Sequence, residues 1–249
     1  MCRRSTPSFR RVSRIPASSF PIGRKRRAHS RYSIRPRELG IFNPAGVGSS
    51  ITMAASPFDQ VSQPRLLVGE GRDEVRFFEA LLRHLKITDV QLVDYGGKQQ
   101  LKPFLVTLPR IPGFVGLQAL GITRDADDDA LGALQSIDSA LVAAALPAEL
   151  RIAKYVMPGA NAAGALETLC IQTISNLPVN DCIEKFLLCA SDAGFKQEWS
   201  VGNAAKARLQ TWLSVQREPG LRLGEAAQAG IIDWEAASLA GLRSFIANL

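Results

Sequence analysis

LLVGEGRDEVRFFEALLRHL, residues 66–85, is the stretch that decides the fold class. Leu66, Leu67 and Val68 form a short apolar run that stops at Gly69, which predicts a buried strand ending in a tight turn. The period then changes. From about Asp73 to Lys86 the apolar residues Phe77, Phe78, Leu81, Leu82 and Leu85 fall on one face of a helix. A strand feeding a helix through Gly69-Glu70-Gly71 is half of a strand–helix–strand crossover. An acid placed just beyond the strand lies at the edge of a sheet where ligands bind in α/β proteins.

Outward from this unit the alternation continues. Val90–Val93 reads as a second strand, Gly96-Gly97 as a turn, and 98–108 as a helix. A third strand lies within 114–123, a helix follows over 131–146, and 152–156 reads as a fourth strand. Strands alternating with helices predict an α/β fold with a mostly parallel sheet covered on both faces. After residue 163 the pattern is helical, over roughly 163–176, 181–191, 203–216 and 234–248. The expected organisation is therefore an α/β domain over 65–176 followed by a helical C-terminal region, 177–249, packed on it.

The net charge of +7 over 249 residues is unevenly distributed. Residues 1–52 carry 11 Arg and 1 Lys against a single acid, Glu38, a balance of +11. The other 18 basic residues face 22 acidic ones, leaving the body at −4. Residues 1–60 have no apolar period and read as a disordered basic segment. RKRR at 24–27 makes it a candidate nucleic-acid arm, and its Arg- and Ser-rich character also fits a transit-like peptide. A start of translation at Met53 is the favoured reading, because the charge balance changes sign there. No run approaches the roughly 18 apolar residues of a membrane span, so no membrane partner is expected. Cys2, Cys170, Cys182 and Cys189 show no zinc spacing and read as reduced, buried or half-buried thiols of a cytoplasmic protein.

Two acidic segments can carry chemistry. Glu70 and Asp73 flank the turn after the first strand, and Asp125, Asp127, Asp128 and Asp129 follow the third. Asp125 and Asp127 are two apart and point the same way if the backbone is extended. Carboxylates this dense repel unless a cation neutralises them, and hard oxygen ligands suit Mg²⁺ or Mn²⁺. The competing reading makes Glu70 or Asp73, and Asp128 or Asp129, simple helix caps. GEGRDE lacks the GK[ST] ending of a Walker loop. Trp199, Trp212 and Trp234 read as core anchors.

In combination, the strand–Glu-Gly-x-x-Asp–helix unit and the strand–Asp-x-Asp unit resemble the Toprim domain over 65–175. LLVGEGRDEVRFFEALLRHL, GGKQQL at 96–101, LGITRDADDDA at 120–130, MPGANAAGALETL at 157–169 and KARLQTWLSVQREPGLRLGEA at 206–226 are similar to the small stand-alone Toprim-like group called DUF3226, related to OLD-type nuclease modules. The resemblance implies Glu70 as metal ligand or general base, and Asp125 and Asp127 as the metal-holding pair. Asp129 is then an extra ligand and Glu167 a second-metal acid, against an ordinary helix carboxylate. Asp73 is a turn or outer-sphere group. Lys98 is the cation for phosphate or transition state, against a solvated lysine. The family places an apolar residue before the motif Glu; here Gly69 stands there.

The implied function is Mg²⁺-dependent, nuclease-like phosphoryl transfer on nucleic acid, DNA rather than RNA, with an AAA- or ABC-type ATPase as partner. The rival is a non-catalytic Toprim-scaffold interaction module working with such an ATPase. A strand-passing topoisomerase needs a nucleophilic tyrosine in a further domain; only Tyr32, Tyr95 and Tyr155 exist.

Overall fold

The structure is a computed structural model and describes residues 58–195 and 199–249. The expectations for the basic leader before residue 58, including a start at Met53, lie outside the described residues. The expected end of the unstructured segment at residue 60 needs correction. Phe58 is buried and its ring lies 5.8 Å from that of Phe104.

Four strands form one parallel sheet in the order β2–β1–β3–β4: β1 (Arg65–Gly69), β2 (Val90–Asp94), β3 (Ala119–Asp125) and β4 (Arg151–Met157). The helices are α1 (Arg72–Leu85), α2 (Leu101–Thr107), α3 (Ala130–Ala144), α4 (Leu166–Gln172), α5 (Pro178–Asp192), α6 (Val201–Ser214), α7 (Leu223–Gln228) and α8 (Ala240–Ala247). The fold is α/β with a helical C-terminal region. Among the described residues no helix is long and apolar enough to cross a membrane.

The sheet divides the core by side-chain parity, since successive residues of a strand face opposite ways. Leu67 and Ala119 belong to one apolar cluster, with α1 and residues from α4 to α8. Leu66, Val68, Leu120 and Ile122 belong to the other, with α2 and α3. α1 and the C-terminal helices therefore cover this face of the sheet together. The approach there is close: a Cβ on Gly121 would lie 2.9 Å from Cδ1 of both Leu67 and Leu249.

Two C-terminal helices differ from expectation. α7 is absent from the sequence reading. It lies so close to α1 that a Cβ on Gly224 would meet Asp73 O at 2.8 Å. The predicted helix over 234–248 is confined to a short 3-10 turn, Ala237–Leu239, and α8. Trp212 is buried and Trp234 packs on Phe77, with centroids 5.0 Å apart. Trp199, Cys182 and Cys189 are exposed, which corrects their assignment to the interior.

Strand order places the site. β1 connects to β2 on one side of itself and the chain then crosses to β3 on the other. The carboxyl ends of β1 and β3 thus part at the topological switch point, where a crevice opens.

Candidate metal centre

Glu70 follows β1 and Asp125 is the last residue of β3, so both stand at that crevice. A third acid joins them from α1. Glu70, Glu74 and Asp125 each offer a carboxylate oxygen, and the three oxygens lie within 4.8 Å of one another.

Glu74 was not singled out in the sequence, yet it is the most buried acid of the group, at 8% exposure. It occupies the first turn of α1 on the same stripe as Phe77, Phe78 and Leu81. Its Oε2 accepts the Glu70 backbone N–H at 2.8 Å and lies 3.5 Å from the Thr123 hydroxyl. Gly69 makes this burial sterically feasible, because a Cβ there would sit 2.8 Å from Glu74 Oε2. The apolar residue expected before the motif Glu is absent where an acid needs the space.

The crevice is a cavity of about 250 Å³ lined by Glu70, Asp73, Glu74, Asp125, Glu167 and Lys206, among others. Asp125 Oδ1 accepts the Leu166 backbone N–H at the start of α4, at 3.0 Å. Burial pushes all three clustered carboxyls up. Glu74 rises well above its ordinary value, with the Asp125 charge adding to the effect. Asp125 is pushed up to about 7 by burial and then by Glu167. Glu70 rises through burial, opposed by Lys98, Arg124 and Lys206. Three close acids cannot all ionise at neutral pH without a counter-charge.

The other predicted residues have different surroundings. Asp127 does not point with Asp125, because its φ of 51° breaks the extended backbone the parity argument required. Its main chain forms a reciprocal bridge with Gly164, and its carboxylate takes the ammonium of Lys98. Asp127 therefore stands outside the convergent set. Asp129 caps α3, accepting the Gly132 N–H at 2.9 Å. Asp128 lies 3.4 Å from the Val201 N–H at the start of α6. Glu167 and Lys206 form an ion pair of 3.9 Å on the cavity wall. Lys98 is held by Asp127 rather than standing free; burial works to lower its pKa, but Asp127 above all, and then the charges of Glu70 and Asp125, raise it.

The donor set fits a hard divalent cation: three carboxylates and no soft ligand. Glu70 Oε2 is buried without a hydrogen-bond partner among the described residues. A buried acceptor left unpaired costs free energy, and a cation coordinated there offsets it. The acidic triad can bind a metal ion.

No curated protein and no solved structure matches this chain. A family model described as "Protein of unknown function (DUF3226)" matches residues 64–249, three quarters of the sequence. The chain belongs to the DUF3226 family.

Proposed function

We propose that the acid cluster is a Toprim-type Mg²⁺ or Mn²⁺ centre and that the protein is a metal-dependent nuclease acting on DNA. The observation carrying this reading is the convergence of Glu70, Glu74 and Asp125 at the sheet's switch point, with one oxygen buried and unpaired. Asp127 and Glu167 flank the cluster rather than belong to it. A divalent ion held there supplies positive charge against the scissile phosphate and lowers the pKa of water.

The protein's own groups do the rest. Glu70 and Asp125, on the ends of adjacent strands, fix the ligand oxygens with little freedom to move. Glu74 N-terminally anchors α1 and is tied to the Glu70 main chain. Lys206 places a cation on the crevice wall, where it draws in a phosphodiester, and Lys98 joins it in tempering the charge of Glu70. Asp127 keeps Lys98 charged and positioned.

The second reading is a non-catalytic module that docks on an ATPase. It is favoured by an apolar groove of about 540 Å³ between α5 and α6, beside the exposed Phe186 and Val215.

Incubation of the protein with plasmid and single-stranded DNA, and with RNA, in Mg²⁺ or Mn²⁺ separates the two. Cleavage that requires the metal and disappears in Glu70→Gln and Asp125→Asn is expected of the nuclease. Metal binding without turnover on any substrate, with or without an ATPase, supports the module.

A further inference from the structure

A second cavity adjoins the acid cluster on the opposite face of the sheet. Its volume is about 510 Å³, and it is lined by Lys98, Lys102, Arg124, Ser136 and Ser139, among others. Parity explains its position. Arg124 and Asp125 are consecutive at the end of β3, so they face opposite sides of the sheet. Asp125 turns toward α1 and the acid cluster, and Arg124 toward α2 and α3.

The cavity has the chemistry of an anion site. Three cations and two hydroxyls line it, and among the described residues no carboxylate does. Arg124 donates to Ser136 Oγ at 2.9 Å, but its Nε is buried without a hydrogen-bond partner. Neither Arg124 nor Lys102 forms an ion pair among the described residues. A buried guanidinium donor without an acceptor is costly, and an anion at its edge offsets that cost. Guanidinium is also the group best shaped for phosphate.

We infer that this cavity binds a backbone phosphate of a nucleic-acid strand, next to the phosphate held at the acid cluster. The inference rests on the nuclease reading and deepens it by assigning the strand's path. The strand crosses the carboxyl edge of β3, with one phosphate on each side. Lys98 lies on the boundary, lining the cavity while paired with Asp127. An arriving phosphate competes with Asp127 for its ammonium. A polyanion is favoured over free phosphate because Arg124 of this cavity and Asp125 of the acid cluster are consecutive in β3, so two phosphates of one strand can be held at once.

The test is fluorescence anisotropy of a labelled short single-stranded DNA on the full chain in EDTA, at several salt concentrations. Parent, Lys102→Gln and Arg124→Gln are compared, with inorganic phosphate as competitor. The +11 segment contributes equally to all three proteins, so the differences between them report the cavity. Each substitution is expected to weaken binding about tenfold and to lower the salt slope by about one. Inorganic phosphate at comparable concentration should not displace the strand. Lys102 is exposed, so Lys102→Gln carries the result if Arg124→Gln fails to fold.

Affinity and slope equal to the parent's in Lys102→Gln overturn the assignment, and displacement by equimolar inorganic phosphate overturns the strand as its occupant. Binding that depends on these residues in a protein that never cleaves overturns the nuclease alone. Metal-dependent cleavage with unchanged binding in both variants overturns the cavity assignment alone.

Discussion

Glu74 is an acid on the apolar stripe of α1, and its surroundings state what it requires. Oε2 is held by the Glu70 N–H, and the space it fills exists because residue 69 has no side chain. Gly69→Ala forces the carboxylate against a new methyl group, an overpacking cost of about 1–3 kcal/mol. In Gly69→Ala/Glu74→Ala the cost of the alanine at 69 should largely vanish, giving a coupling of about 1 kcal/mol or more in a urea-unfolding double-mutant cycle.

Protonation offers a second test at this scale. The folded-state carboxyls of Glu70, Glu74 and Asp125 titrate above their unfolded values, Asp125 at about 7. Folding therefore takes up protons on these groups. The metal-free protein should lose stability as pH rises from about 4 toward about 7. Asp125→Asn should flatten that slope in a series of thermal melts, and saturating Mn²⁺ should reverse it by favouring the ionised forms.

Glu70 and Asp125 were legible in the sequence because each follows an apolar strand. Glu74 left a readable mark too: it stands three and four residues before Phe77 and Phe78, on their face, where a carboxylate is out of place. That mark is weak, because an acid in the first turn of a helix is favourable on its own account. The parity argument for Asp127 missed its left-handed φ, which goes with a bridge to Gly164, 37 residues away, and leaves it outside the triad.

At the scale of elements, the end of β3 and the loop into α3 divide four acids among four tasks. Asp125 faces the cluster, Asp127 takes Lys98, Asp128 lies near the start of α6 and Asp129 caps α3. Asp129→Ala should cost about 1 kcal/mol as a lost cap and leave metal affinity unchanged; a titration showing weakened Mn²⁺ binding would make Asp129 a ligand after all. The four strands and α1 were readable because their apolar periods are strong. Lys206 was not, because its place beside Glu167 depends on how α6 packs against α4. α7 was missed for a related reason: six residues carry too short a period to stand out, and the helix is defined by its contact with α1.

For the whole molecule, the C-terminal helices are one wall of the core rather than an appendage. Leu209, Leu213, Leu223, Leu242 and Ile246 share a cluster with Phe77, Phe78 and Leu67. Each such side chain contributes about 1.5–3 kcal/mol when buried, against a total stability of about 5–15 kcal/mol. A chain ended after residue 176 should therefore fail to fold, read as loss of the cooperative thermal transition in circular dichroism. Recovery of a sharp transition in that fragment would show that the α/β half is self-sufficient. The same wall supplies Lys206 to the crevice, so the crevice is built from both halves of the chain.

The proposed binding of one divalent ion by the three converging acids is most directly tested by titrating Mn²⁺ into the metal-free protein and following the free-ion signal by electron paramagnetic resonance. One tight site is expected at neutral pH, weakened at least about tenfold, roughly 1.4 kcal/mol, in each of Glu70→Gln, Glu74→Gln and Asp125→Asn while the fold is kept. Binding that survives all three substitutions, or no specific site in the parent, would contradict the account.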